Sequence, residues 1–418
     1  MASRFVAMLV KKGDAFLLER GEKIVLVDGG EDINFVSGVL NKNWHKSQKI
    51  IDIVVCTHND KDHSQGIIQL LSSPQYKVRE VRLPAIWDVI NDSLGKEAEF
   101  EKKFSYLEEL ILDVSYLIEA RLTAVDDFQR LVNKILRGQY RKEDNYEVWV
   151  NQHRQEKRAI ASGFVEALVS DEREAAAEGV LEETNEFRAK EAALMSFLSY
   201  IKASLTTKEF FRNILRYINR ILAVMILVDE RKKRGEKIQI RFYRYRYGRP
   251  IDSSDDEFLL PVNAAEVTTW KFRKTKGKPS SLNNPAGHIA LSITNRNSLS
   301  FYAKEEQTSP GVIFTAECRV NPIGCQPTRL IIATAPHHGS KDNANVYQNI
   351  LHWAQGGSVW VRSDYKNGSR PCPQYFKLKE KKYCTVCNTM KNTGQTVELY
   401  DSMGNWQTNK MLKVCNCQ

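Results

Sequence analysis

Two histidines and two aspartates fall within six consecutive residues, His58-Asn59-Asp60-Lys61-Asp62-His63, directly after the apolar run "KIIDIVVC". Imidazole nitrogens and carboxylate oxygens are standard donors to first-row divalent ions. On an extended loop His58 and Asp60 point the same way, while Asp62 and His63 approach from another side. Two ligand pairs are therefore available for one ion or two. The plain alternative is a polar turn in which an Asp caps the following helix, and any single Asp or His would merit that reading. Four such residues together favour metal. A divalent ion makes water acidic enough to attack at neutral pH and stabilises negative charge on a phosphoryl or carbonyl oxygen.

The elements that must position these residues are legible around them. Short apolar runs, "FVAMLV", "AFLLE" and "KIVLV", precede the ligand segment, and "QGIIQLL" continues it as a helix beginning near Ser64. No proline lies between Pro84 and Pro250. Within that window Phe104, Leu107, Ile111, Val114, Ile118, Leu122 and Val125 recur at helical spacing, as do Leu194, Phe197, Leu198 and Ile201. Strand-like runs resume afterwards: "KIQIRFYRYRY", "EFLLPV", "HIALSI", "SLSFYAKE", "GVIFTA" and "RLIIATAP". Strands, a helical block and further strands imply an α/β sandwich interrupted by an all-helical insertion. The expected boundaries are 1–90 and 233–380 for the two halves of the α/β domain, 91–232 for the insertion, and 381–418 for a cysteine-containing C-terminal segment.

At this point the chain resembles the metallo-β-lactamase-fold hydrolases, in their branch similar to the hydrolase domain of the DNA-uptake protein ComEC. The family's His-x-His-x-Asp-His loop appears here with Asp60 in the second histidine position, a substitution characteristic of that branch. "KKGDAFLLERGEKIVLVDGG" matches its opening through Gly13, Asp14, Ala15, Asp28, Gly29 and Gly30. After the insertion "NRNSLSFYAKE", "VIFTAECRV", "ATAPHHGSKDN" and "SVWVRSDYKNGSRPCPQYF" follow the family's later motifs in order. The resemblance implies an αββα sandwich and a metal-dependent hydrolase.

Carried over residue by residue, the resemblance assigns metal ligation to His58, Asp60, Asp62 and His63, and to His337 or His338 or both. Asp62 and His338 are the residues expected at the catalytic step. Glu317 stands where the family has a metal-bridging Asp, and bridges or flanks the ions. Cys372 stands where a His is often found, as a soft ligand or a small buried residue. Asp28 is expected to hold the ligand loop. The implied cofactor is a divalent metal, Zn or Mn, in two ions.

The substrate is expected to be a phosphodiester, with nucleic acid, DNA in particular, as partner. A net charge of +10 favours acidic partners, and "RKKRGEKIQIRFYRYRYGR" alternates arginines with aromatic residues. Arg241, Arg244 and Arg246 are candidate nucleic-acid contacts, against the simpler reading of a half-buried hairpin with its arginines outward. The longest apolar run is too short to cross a bilayer and no signal-peptide layout is present, so a cytoplasmic location is expected. The resemblance also suggests an effector in bacterial antiviral defence. Seven of eight cysteines lie beyond residue 317. Among them Cys384, Cys387, Cys415 and Cys417 have the pairing of a structural zinc site or are buried thiols. Two rival readings are a non-catalytic scaffold binding protein partners through the insertion, and a hydrolase of a small phosphoester or nucleotide.

Overall fold

Runs of β-branched and aromatic residues form the expected strands. The structure, a computed structural model, describes residues 3–10, 12–31, 38, 49–88, 205–252, 257–267, 298–306, 309–364, 370–387, 394–408, 412 and 414–415. Among them lie two mixed sheets. The first contains β1 (Arg4–Ala7), β2 (Phe16–Arg20), β3 (Lys23–Val27), β4 (Lys49–Val55), β5 (Tyr76–Pro84), β6 (Gln239–Tyr245), β8 (Ala264–Val267), β14 (Val397–Ser402) and β15 (Asn405–Thr408). Its order is β15-β14-β1-β2-β3-β4-β5-β6-β8, with β3 through β6 parallel. The second contains β7 (Leu259–Pro261), β9 (Phe301–Ala303), β10 (Val312–Phe314), β11 (Ile331–Thr334), β12 (Ser358–Arg362) and β13 (Lys382–Cys384), in the order β13-β12-β11-β10-β9-β7.

The sheets share one apolar core. Phe5, Phe16, Val25 and Val55 of the first meet Phe301, Phe314, Ile332 and Val361 of the second. The Phe314 ring packs at a tilt, its centroid 6.2 Å from that of Phe5 and 6.1 Å from that of Phe16. Side chains of this size are worth about 1.5–3 kcal/mol each when fully buried. Alternation along β12 sends Val359 and Val361 into this core and Trp360 to the opposite face. There Trp360 packs on Tyr347 of α3 (Asn345–Trp353), with ring centroids 4.9 Å apart.

Helix α1 (Lys61–Ser72) starts three residues earlier than the sequence suggests. The Asp60 carbonyl already accepts from the backbone N–H groups of His63 and Ser64, at 3.0 and 2.9 Å. His58 and Asp60 are thus on a loop, while Asp62 and His63 occupy the first helical turn. The start of α1 interlocks with two glycine turns. A Cβ at Gly66 would lie 1.9 Å from the Gly29 carbonyl oxygen, and one at Gly13 would lie 1.6 Å from that of Asp62. These contacts explain why "GDA" and "DGG" carry glycine: backbone lies directly on backbone.

The chain divides into two compact units, one of Met1–Ala85, Glu230–Thr268 and Asn295–Gln418, the other of Ile86–Asp229 and Thr269–Thr294. The second takes residues 269–294, which the sequence reading gave to the second half of the α/β domain. Most of the expected insertion 91–232, and the expected strand "HIALSI", lie outside the described residues. The described helix α2 (Leu205–Lys233) closes that span. Its buried Arg231, in the first unit, donates to the carbonyls of Leu71 and Tyr76 at 2.6 and 2.8 Å. No described helix is long and apolar enough to cross a membrane.

Candidate metal centre

Residues from five segments meet beyond the C-terminal ends of interior strands of both sheets. Asp28 follows β3 and His58 follows β4. His63 lies on α1, Glu317 follows β10, and His337 and His338 follow β11. Three of these residues have left-handed backbones: Asp28 (φ 58°), His337 (φ 47°) and His338 (φ 52°), as does Ala316 (φ 50°) beside Glu317. Such conformations are costly for non-glycine residues and persist when surrounding bonds enforce them. Here the His337 N–H donates to the Ala316 carbonyl at 2.9 Å, tying the two turns together.

Each buried histidine has its Nδ1 fixed by a named partner. His63 Nδ1 is 2.8 Å from Asp28 Oδ2, and His338 Nδ1 is 3.1 Å from Asp14 Oδ1. Thr57 Oγ1 donates to Asp28 Oδ2 at 2.7 Å, which leaves it an acceptor for His58 Nδ1 at 2.9 Å. A carboxylate or committed acceptor at Nδ1 places the proton there and leaves the Nε2 lone pair for a ligand. All three Nε2 atoms turn towards Glu317.

The two oxygens of Glu317 divide these groups. Oε1 lies 3.1 Å from His63 Nε2 and 2.7 Å from His338 Nε2, whose Nε2 is in turn 3.9 Å from Asp62 Oδ2. Oε2 lies 3.6 Å from His58 Nε2 and 3.4 Å from His337 Nε2, and His58 Nε2 is 3.9 Å from Asp60 Oδ2. The sequence left open which later histidine joins the site, and each flanks its own oxygen of Glu317. Asp60 occupies the N-cap position of α1, yet its side chain makes no capping bond.

The residues fit a metal on two counts. His58 Nε2 is buried without a hydrogen-bond partner among the described residues, an arrangement that costs free energy unless a ligand meets it. The donor set is nitrogen and carboxylate oxygen throughout. The groups Asp14–His63–His338, Asp28–His58–His63 and His58–Asp60–Glu317 each bring ligand atoms within 4.8 Å of one another. Proximity alone places Asp14 and Asp28 among the ligands. Their contacts, however, are to Nδ1 atoms and to Thr57, so we assign them to orientation.

Electrostatics follow from the crowding. Burial raises the Glu317 pKa, but His58, His338 and His63 outweigh it and hold the carboxyl well below its usual range. Burial disfavours charge on His63 and His338. For His63, Asp28 and Glu317 prevail, and for His338, Asp14 and Glu317 do, so both lie well above the usual imidazole range. Asp62 is pushed up by burial and brought down further by His63 and His338. His337 is lowered, chiefly by burial. In the metal-free protein the histidine protons therefore occupy the positions a cation would take.

Other expected site residues are placed differently. Cys372 is 2% exposed in the apolar cluster that also holds Tyr347 and Tyr375. Its N–H donates to the Gly339 carbonyl at 2.8 Å, and it belongs to none of the described ligand groups. Its burial accords with the reading as a small core residue. Arg241 is ion-paired with Glu257 and Glu266, and lies 3.7 Å from Glu80, so its charge is already matched. β6 is an interior strand between β5 and β8, with Tyr243 buried. Arg244 is half-buried and Arg246 exposed. Cys384, Cys387 and Cys415 converge, and Cys417 lies outside the described residues.

Four supporting residues escaped the sequence reading. Asp14 was visible only as part of "GDA", and Thr57 as a strand-end residue. Ser298 Oγ accepts from the Glu317 N–H at 3.0 Å, and Asn343 Nδ2 donates to the Glu317 carbonyl at 2.8 Å. Asn343 follows "HHGSKD" closely, which was its one signal.

No protein-family model and no curated protein matches this chain. Fold and site together define an α/β protein with mixed sheets and His/Asp/Glu clusters that could hold a metal ion.

Proposed function

We propose that this chain is a metallo-β-lactamase-type, metal-dependent hydrolase of the ComEC-like branch, holding two divalent ions and cleaving phosphodiesters in nucleic acid. The observation that carries the reading is the convergence of three Nδ1-fixed imidazoles on a carboxylate whose oxygens serve different histidine pairs. His58, Asp60 and His337 would hold one ion with Glu317 Oε2. His63, His338 and Asp62 would hold the other with Glu317 Oε1. When bound, Zn or Mn ions supply an acidified water and stabilise charge on the phosphoryl oxygens.

The remaining work falls to the chain itself. Asp28, Thr57 and Asp14 keep the imidazoles in one tautomer and orientation. Asp62, kept ionised by its lowered pKa and with a side chain 29% exposed, would be one of the carboxylates open to substrate, beside Asp60 at 37%, and could accept a proton there. The protein's positive charge would draw a polyanion, and exposed Arg246 is the candidate phosphate contact of this reading. A scaffold that only bound partners would have no use for an oriented His58 Nε2 that faces two carboxylates and makes no hydrogen bond among the described residues. A cytoplasmic effector acting on foreign DNA accords with this chemistry.

The test is metal content by elemental analysis, with cleavage of single- and double-stranded DNA in Mn and Zn. Wild type and an Asp62→Ala/His63→Ala variant are compared. We expect metal and cleavage to fall together in the variant. Wild-type protein that binds neither ion outside its cysteines, and cuts neither substrate, would overturn the reading.

A further inference from the structure

A second group of metal donors lies apart from the histidines, at the edge of the six-stranded sheet. β13 ends at Cys384, and Cys387 follows in a Cys-Thr-Val-Cys turn. Cys415 is brought alongside by the C-terminal segment, its N–H donating to the Lys382 carbonyl at 2.6 Å. The three Sγ atoms lie within 4.8 Å of one another. Cys384 is fully buried and Cys415 is 8% exposed.

Three features of geometry suit this group to a shared ion. Cys387 Sγ and Cys415 Sγ are 3.7 Å apart. That is far beyond the roughly 2.05 Å of a disulfide. It matches the edge of about 3.8 Å that tetrahedral geometry gives for a Zn–S distance near 2.3 Å. Next, the Val386 N–H donates to Cys384 Sγ at 3.3 Å, which folds the Cys-x-x-Cys turn so that both thiols face one point. Last, the buried Arg362 guanidinium donates to Cys384 Sγ at 3.1 Å. That contact fixes the orientation of the Cys384 side chain.

We propose that Cys384, Cys387 and Cys415 hold a zinc ion separate from the His/Asp/Glu centre. Its role is structural. It fastens the C-terminal segment to β13, a three-residue edge strand that has little pairing of its own. Soft thiolates select zinc over manganese, calcium or magnesium. Each thiol gives up its proton to solvent as the ion binds, and no electron is transferred. Arg362 extends the effect inward, since its Nε donates to the His338 carbonyl at 2.8 Å and its Nη2 to Asp364 at 2.9 Å.

The experiment uses the full chain in wild type, in the Asp62→Ala/His63→Ala variant and in a Cys387→Ser/Cys415→Ser variant. Zinc is measured by elemental analysis after dialysis against a weak chelator, and its release is followed on titrating the thiols with an organomercurial. We expect the Asp62→Ala/His63→Ala protein to keep one zinc per chain that is released in step with thiol modification, whatever it retains at His58, Asp60 and His337, and even if the hydrolase reading fails. Cobalt substitution of the same protein should give the near-ultraviolet thiolate charge-transfer absorption. Zinc-free Asp62→Ala/His63→Ala protein with no such absorption would overturn the proposal, as would a Cys387–Cys415 disulfide in freshly purified wild type. Should the double-serine variant fail to fold, the wild-type release titration decides the matter alone.

Discussion

Asp28 Oδ2 lies 2.8 Å from His63 Nδ1 and 2.7 Å from Thr57 Oγ1, so one buried carboxylate orients two candidate ligands, His63 directly and His58 through the threonine. Asp14 performs the same office for His338 alone. Replacing an orienting partner of this kind costs roughly 10–100-fold in metal affinity. We expect Asp28→Asn to weaken binding of both ions and Asp14→Asn to weaken one. Competition against a chromogenic chelator would read both, and equal losses in the two variants would contradict the assignment.

Glu317 is the shared group, and its substitution should change stoichiometry more than affinity at one site. Glu317→Gln keeps the shape and removes the charge that four imidazoles face. The expected result is a loss of at least one ion per chain by elemental analysis, with DNA cleavage falling alongside. Unchanged metal content would refute a bridging role.

In protein stripped of metal, pH should act through the same groups. His63 and His338 have raised pKa values, so their contribution to stability is complete below the unfolded value near 6.5 and declines as pH climbs towards the folded values. Glu317 is lowered, so its contribution is present above its unfolded value near 4.5 and is lost on acidification. Thermal unfolding in chelator should therefore show its highest midpoint between about pH 4.5 and 6.5 and a falling one towards pH 8. Added metal should reverse the upper limb, because binding displaces the histidine protons. A stripped protein that gained stability from pH 6.5 to 8 would argue against protonated histidines in the cluster.

Gly66→Ala tests the seating of the ligand helix. The new Cβ would meet the Gly29 carbonyl at 1.9 Å. Overpacking of this kind costs about 1–3 kcal/mol, and more where backbone opposes backbone. Urea unfolding should show a lower midpoint, with metal affinity reduced because His63 rides on the same helix. Gly38→Ala, with nothing among the described residues within 4 Å of the new Cβ, serves as the control.

Arg241 of β6 and Arg246, just beyond its end, should separate by function. Arg241→Ala removes a cation held by Glu257 and Glu266 and should lower stability with little effect on DNA affinity. Arg246→Ala should lower affinity and reduce the salt dependence by about one phosphate contact. Fluorescence-anisotropy titrations at several salt concentrations distinguish the two, and a reversed pattern would restore Arg241 as a contact.

By itself the sequence marked β1–β4, β6, β7 and β9–β11 and the principal ligand types, while β5, β8 and β12–β15 went unmarked and the segment read as a cysteine-containing tail supplies β13–β15. The marked features are local: apolar runs bounded by turn residues, and four polar donors packed into six positions after a buried strand. It also marked Glu317, His337 and His338 as candidates from their order along the chain. Tertiary structure alone decided how they divide, because the choice between His337 and His338 depends on a left-handed turn pinned to Ala316 from another strand. It likewise decided that Cys372 packs in the core and that Arg241 is matched by carboxylates 16 and 25 residues away. The start of α1 was misread because Asp60 looks like a ligand and also stands at an N-cap. Asp14 and Asp28 acquire meaning only when folding sets each beside an imidazole, 324 and 35 residues away. Spacing in sequence carries local geometry, and contacts across such separations are set by how the two sheets pack.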